Sequence, residues 1–434
     1  MSILQERLNR FRKTLAGIAK PEEQPFQESE RSELQERRHA STSDDWLDMD
    51  VTLMTNEWGS FLNRKRTFSI QHKHGQYELA KLTGCVQELQ SFHPSSEVGL
   101  EQLLFFDTET TGLGIGAGNV PFMIGIGYYE QEKFITEQFF IRNPAEELAM
   151  LRYFNTCLTR FSHVVSYNGR TFDWPIVHNR YVLNRLKLSN PDLLHLDFLY
   201  ASRSFWKNTL PSCRLSKVEE ERLGFSRLDD VPGSMAPTLY FQYLSEKRPS
   251  IMHGVFVHNE HDILSLAGLA IHFGLALRGE LDYAAMETEE LFRIGLWQDK
   301  MGKMELAEET FSRLLERPAA QSSTHWLLLA AFYKKKGQEL KAVKLWSEYI
   351  ALERNEFAFT SVEPFIELAM YYEHRKKDYQ TAYNLADQAF QQVWKQASFL
   401  RMSTQRGYTH QRKSKPQELS EQLQKRLDRL RKKL

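Results

Sequence analysis

Asp107 and Glu109 stand one residue apart in FFDTETTGLG (105–114), at the end of an apolar run that starts at Leu103. On a strand, residues i and i+2 project from the same face about 7 Å apart. The two carboxylates therefore share a space and repel each other unless a cation lies between them. Two further stretches supply acids with a structural reason for their position. In SYNGRTFD (166–173), Asp173 follows the apolar strand HVVSYN and opens a helix. In HNEHD (258–262), His258 and Asp262 are four apart on one helical face. Four acids converging from a strand end, a helix start and a later helix can hold two hard cations about 3.5–4 Å apart. Oxygen donors without cysteine suit Mg²⁺ or Mn²⁺ rather than zinc. Phosphodiester hydrolysis uses such a pair, one ion to activate water and one to stabilise the leaving 3′ oxygen. Taken singly, Asp107 reads as a strand-end cap, Asp173 as a helix N-cap and His258 as a polar residue near a helix start. Their order and spacing make the combination informative.

The elements that must carry these groups are readable in outline. LLFFDTE is a buried strand, and FMIGIGYYEQEKFITEQFFI is two strands joined by a turn near Gln131. AEELAMLRYFNTCLTRF is a helix, HVVSYNG a strand, and DWPIVHNRYVLNRL a helix with Pro in its first turn. Helices follow over LSKVEEERLGF, APTLYFQYLSEK and HNEHDILSLAGLAIHFGLAL. The order β-β-β-α-β-α and then helices predicts an α/β domain with one mixed sheet over 101–280. Residues 51–100 form a short strand-like lead-in, with HKHG as a hairpin turn. His72, His74 and His93 lack a partner at ligand spacing and read as turn or surface residues. Asp197, in HLDFLY, reads more readily as a loop or helix cap than as an aid to the acids. The glycine-rich GLGIGAGN has no phosphate-loop lysine, so it predicts no nucleoside-triphosphate site.

Beyond residue 285 the strand pattern stops and a repeat begins. GKMELAEETF (302–311), GQELKAVKLW (337–346) and KDYQTAYNLA (377–386) align Ala307, Ala342 and Ala382 in one column, 35 and 40 residues apart. That period is near the 34 of tetratricopeptide (TPR) helix pairs, and an aromatic-rich helix precedes each copy. Residues 285–400 are thus expected to be TPR-like, with Lys377 departing from the Gly column. The alternative is an unrelated helical bundle. The tail, 401–434, has eleven Lys and Arg against three Asp and Glu, a net +8. Its leucine stripe (Leu419, Leu423, Leu427, Leu430, Leu434) predicts docking in cis or onto a partner, with a solvated basic face. At the other end, residues 1–50 read as a basic amphipathic helix followed by an acidic linker, with ten acids against three Arg over 21–50.

The 434 residues suit two or three domains, and 41% apolar with 12% aromatic content can build a large core. Lys+Arg and Asp+Glu both total 56, so net charge selects no partner. Three distant cysteines without CxxC fit a reducing compartment and exclude a disulfide framework. The N-terminus carries charge from Glu6 onward and no signal-peptide core, and no apolar run approaches the roughly 18 residues of a membrane span. A cytoplasmic protein is expected.

FDTETTGL, YNGRTFD and HNEHD resemble the three exonuclease motifs of the DEDD superfamily, whose fold is ribonuclease-H-like. DDVPGSMAPTLY (229–240) and the helical repeats resemble the YprB type of these exonuclease-domain proteins. The resemblance implies that Asp107, Glu109, Asp173 and Asp262 hold two Mg²⁺ or Mn²⁺ ions, that His258 orients the attacking water, and that nucleic acid is hydrolysed from a 3′ end. DNA and RNA remain equally open. Thr110 and Leu113 of the first motif are expected at the substrate. So are Tyr167, Asn168 and Phe172 beside the second, where an aromatic can stack on a terminal base or pack in the core. The resembled subclasses place Tyr with three residues, or His with four residues, between it and the last Asp. Here His258 stands at the tyrosine spacing, Val257 holds the farther position, and His261 is expected to face elsewhere. The rival reading is a catalytically weak nucleic-acid-binding or scaffold protein acting through the repeats, which would bind protein partners. A third reading, hydrolysis of a small nucleotide, fits the lack of a basic track.

Overall fold

Leu103–Thr110 forms a strand buried along its length except at Asp107, which is half-buried. Such a run needs cover on both faces. In this computed structural model, helices supply that cover on either side of a seven-stranded mixed sheet. The described residues are 45–434 apart from 113, 115, 117, 229, 357–360 and 404–414. The amphipathic helix and most of the acidic linker expected over 1–50 lie outside them, as does Leu113.

The strands are β1 (Val51–Asn56), β2 (Gly59–Ser69), β3 (Lys73–His74), β4 (Tyr77–Glu78), β5 (Leu103–Thr110), β6 (Pro121–Glu130), β7 (Lys133–Phe140), β8 (His163–Ser166) and β9 (Leu194–Asp197). The main sheet runs β1-β2-β7-β6-β5-β8-β9. β5, β8 and β9 are parallel, and the other pairs are antiparallel. The lead-in is continuous with this sheet, because β2 pairs with β7 from Leu62↔Phe140 to Ser69↔Lys133. β6 and β7 turn at Gln131 and Glu132, both with positive φ (47° and 57°), the geometry of a tight two-residue hairpin. β9, only four residues long, was not foreseen as a strand.

The helices are α1 (Lys81–Cys85), α2 (Glu147–Leu158), α3 (Asp173–Leu183), α4 (Phe198–Trp206), α5 (Leu215–Val218), α6 (Ala236–Glu246) and α7 (His253–Arg278), then α8 to α14 in the C-terminal region. Leu104, Phe106, Ile124 and Phe139 point to one face of the sheet and pack with α2, α3 and α6. Leu103, Phe105 and Phe134 point to the other, where α7 runs across the sheet. Two strand glycines let α7 approach. A Cβ at Gly125 would collide with Asn259, and one at Gly127 with Ile263. The four-residue rise of the helix, about 6 Å, nearly matches the two-residue rise of the strand, about 6.8 Å.

The β3–β4 hairpin tucks against α7, and His74 is buried with Nε2 2.6 Å from the Ser265 hydroxyl. This corrects its reading as a turn or surface residue. Burial lowers its pKa to about 3, with His261, His72 and Arg227 adding to the effect, so the ring is neutral. His93 is half-buried, with Nε2 3.0 Å from the His195 carbonyl.

The C-terminal region is three helical hairpins: α8 (Thr288–Lys300) with α9 (Met304–Leu315), α10 (Ala319–Lys335) with α11 (Glu339–Glu356), and α12 (Glu363–Tyr371) with α13 (Tyr379–Ser403). Ala307, Ala342 and Ala382 are all buried. The Gly column is equally regular, with φ of 81° at Gly302, 76° at Gly337 and 58° at Lys377. Lys377 thus takes the left-handed turn without being glycine. The tail helix α14 (Lys415–Arg431) docks in cis through Leu423, Leu427 and Leu430. Its basic face is not merely solvated: Arg429 and Lys433 donate to the fully buried Glu373 at 2.8–3.1 Å. The first hairpin is joined to the sheet domain by a firm seam. Trp206 Nε1 donates to Glu290 at 2.5 Å, and the Trp297 ring lies 4.9 Å from Phe205 and 5.8 Å from Phe273. Cys85, Cys157 and Cys213 are free thiols. Among the described residues, no helix is long and apolar enough to cross a membrane.

Candidate active site

Because side chains alternate on a strand, Asp107 and Glu109 share the face of Leu103 and Phe105 and look toward α7. There Asn259, fully buried, donates from Nδ2 to Asp107 Oδ2 at 2.9 Å. Asn259 is itself aligned: its Oδ1 accepts from Gln138 Nε2 at 2.9 Å, and Gln138 Oε1 accepts from Arg64 Nη1 at 3.0 Å. Arg64 is buried and pairs with Glu260 at 3.1 Å. The chain of donors runs one way, from a β2 guanidinium to the Asp107 carboxylate.

Asp173 opens α3 on the other side of β5, where Thr108 Oγ1 donates to its Oδ1 at 2.5 Å. The loop before it is held by Asp197, which accepts from the backbone N–H of Asn168 (2.8 Å) and Arg170 (3.3 Å). Asp197 also caps α4 through Leu199 N–H at 3.1 Å. It is the cap of the sequence reading, with the added task of fixing the second motif.

The N-terminal half of α7 brings His258 and Asp262 to Glu109, so that one ligand atom of each lies within 4.8 Å of the others. His258 Nε2 is 3.5 Å from Asp262 Oδ2. Its Nδ1 lies between the Asp230 carboxylate, 2.9 Å away, and Arg227 Nη1, 3.0 Å away, while Nε2 faces the acids. His261 turns away, its ring edge-on to Phe225 at 5.1 Å.

One cation is built into the cluster. Arg227, 6% exposed, forms a two-bond pair with Glu219 (2.8 and 2.6 Å). It also donates to Asp262 and, at 3.2 Å, to Asp230. Glu219, Arg227, Asp230 and Asn259 were missed in the sequence. Asn259 sits inside HNEHD, and Asp230 inside the DDVPGSM stretch already singled out, but nothing local connects Glu219 with Arg227.

Electrostatics mark the cluster as short of positive charge. Burial, reinforced by Asp262 and Asp173, pushes Asp107 and Glu109 well above the usual carboxylate range. Burial also raises Asp173 to about 6, although the Thr108 hydroxyl opposes it. A hard donor set that repels itself in this way fits a divalent cation.

The residues expected at the substrate differ in how they are engaged. Thr110 is buried and donates to the Gly112 carbonyl at 2.8 Å. Tyr167 packs against the core and donates to the Cys213 carbonyl at 2.7 Å. Asn168 adopts a left-handed φ of 66°, and its side chain accepts from Thr171 at 2.9 Å. Phe172 is half-buried at the start of α3.

A model of the RNase_H superfamily matches residues 104–273, a span holding all four motif acids and His258. In Bacillus subtilis (strain 168), the uncharacterized protein YprB is 34% identical over 334 residues, 76% of this chain and 80% of that protein. A solved family B DNA polymerase from the hyperthermophilic archaeon Pyrobaculum calidifontis superposes with a TM-score of 0.32 at 16% identity, over 48% of this chain and 30% of the polymerase chain.

Proposed function

The chain belongs to the family of RNase-H-like proteins that includes YprB, and we propose that it is a metal-dependent 3′→5′ exonuclease acting on DNA or RNA. The observation that carries this reading is the convergence of Asp107, Glu109, Asp173 and Asp262 from β5, α3 and α7, with Asp107 and Glu109 driven above their ordinary pKa by burial and the neighbouring acids, and Asp173 by burial. In this reading the four acids hold Mg²⁺ or Mn²⁺, which supplies a Lewis acid for water and for the scissile phosphate. Asn259 fixes the rotamer of Asp107, and Thr108 fixes that of Asp173. His258, held at Nδ1 by Asp230 and with Nε2 facing the acids, takes the proton from the attacking water. Phe172 stacks on the terminal base. Residues 101–280 form the catalytic domain. The TPR-like pairs over 285–400 offer a protein-binding surface, and the chain works in the cytoplasm.

The test is hydrolysis of single strands and duplexes labelled at the 3′ or the 5′ end, with Mg²⁺, with Mn²⁺ and with excess chelator. Stepwise loss from the 3′ end that stops in chelator is expected. Full activity in chelator, or in Asp107→Ala, would sink the reading.

A further inference from the structure

Arg227 is bound where a metal-ligating acid should be free. We propose that this guanidinium is a resident cation of the cluster: it replaces the charge of one divalent ion at the Asp262 end, so the chain binds one such ion rather than the pair the four acids suggest. The inference rests on the nuclease reading of the same site and changes its metal count.

The geometry makes Arg227 a fixture. Its Nε and Nη2 are spent on Glu219, a second Nη2 hydrogen on Asp262, and Nη1 lies between Asp230 at 3.2 Å and His258 Nδ1 at 3.0 Å. Glu219 has no exposed surface, so withdrawing Arg227 would leave a buried charge that water cannot reach. The backbone holds the pair in place as well: Glu219 opens a π-helical turn, Glu219–Leu223, closed by Gly224 at φ 66°.

Two consequences follow for Asp262. Its Oδ1 is taken by Arg227, which leaves Oδ2, the oxygen facing His258 Nε2. A dication bridging Asp262 and Glu109 would also stand beside the guanidinium in a water-poor site, where like charges repel strongly. With its donors committed to Glu219, Asp262, Asp230 and the His258 ring, Arg227 does not reach for phosphate. It is a positioning residue that acts through Asp262, and it leaves the cluster of Glu109, His258 and Asp262 one carboxylate oxygen short for a second ion.

The test counts Mn²⁺ bound to the full chain, by the electron paramagnetic resonance of the free ion, with and without the nucleoside monophosphate dAMP. Wild type should bind one ion per chain in both conditions. The double variant R227Q/E219Q removes both partners and strands neither, and with dAMP it should bind two. Two ions on wild type with dAMP would overturn the proposal and leave the nuclease reading standing, as would a single ion on a folded double variant. No binding to wild type would remove the nuclease reading itself. If circular dichroism shows the double variant unfolded, the wild-type count with dAMP still decides.

Discussion

Glu219 and Glu373 are both fully buried, both lie in π-helical turns closed by a left-handed residue (Gly224 and Lys377), and both bind an arginine through two oxygens. Their surroundings set them apart. Arg429 is half-exposed and serves Glu373 together with Lys433. Burial acts to raise the Glu373 pKa, but these cations outweigh it and bring it down to about 2. Arg227 is buried and divided among Glu219, Asp262 and Asp230. Burial leaves Glu219 raised, and Asp262 adds to the rise against the pull of Arg227. The tail pair is a satisfied lock. The same device in the sheet domain is oversubscribed, and the deficit there is what gives the acids their appetite for a cation.

The sharpest way to break this contrast is Asp107→Ala. It should lower the rate at least about 10³-fold, since it removes a group that holds the metal. The metal-free protein should melt no lower than wild type, because a repelling charge has gone. A melting temperature that falls by many degrees would mean that the acids are structural after all.

His258→Ala should cost about 10²-fold in rate while leaving Mn²⁺ binding intact, as expected for a proton acceptor that works beside the metal. An unchanged rate would return His258 to the status of a polar helix residue. Glu373→Gln addresses the other side of the contrast. Hydrolysis of a short oligonucleotide should be unaffected, and the urea midpoint should fall by the equivalent of about 1–2 kcal/mol. Loss of activity in that variant would tie the tail to catalysis.

The smallest effect is on pH dependence, and its sign differs between the regions. Asp173 has a folded pKa of about 6 against an ordinary 3.8, so the folded, metal-free protein takes up the proton first and gains stability as pH falls. Between pH 8 and pH 5 in chelator the gain should be about 1 kcal/mol. Asp173→Asn should remove it. Glu373 is depressed to about 2 from 4.5, so its contribution is intact above pH 4.5 and is lost only as pH falls toward 2. Denaturant titrations of both variants across that range separate the two. Equal behaviour of Asp173→Asn and wild type would mean that Asp173 carries no excess charge.

The four motif acids were legible because each sits in its own local signal: a strand end, a helix start, a helical face. The Ala column of the repeats was legible by self-similarity, and it lands on buried positions. Arg227 was not, since its meaning depends on Glu219, eight residues earlier, and on Asp262, thirty-five residues later. Neither spacing belongs to a regular element. Asn259 was hidden by its neighbours, although a polar residue four before Ile263 on a core-facing helix already needs a buried partner. Gly125 and Gly127 carried a signal in the sequence: glycines inside a strand mark the close approach of another chain segment. β9 breaks its apolar residues with His195 and Asp197, where β8, of the same length, offers Val164 and Val165 together.

One last consequence belongs to α7. Its first turns carry His258, Asn259 and Asp262, and from Ile263 to Leu277 it is buried almost all round before meeting the first helical hairpin through Phe273 and Trp297. Amides in the middle of such a helix should be among the slowest in the molecule to exchange with solvent. Their exchange should track the joint opening of the sheet domain and the first hairpin, which α7 ties together. The three α7 groups thus stand on a helix whose later turns are anchored in the core.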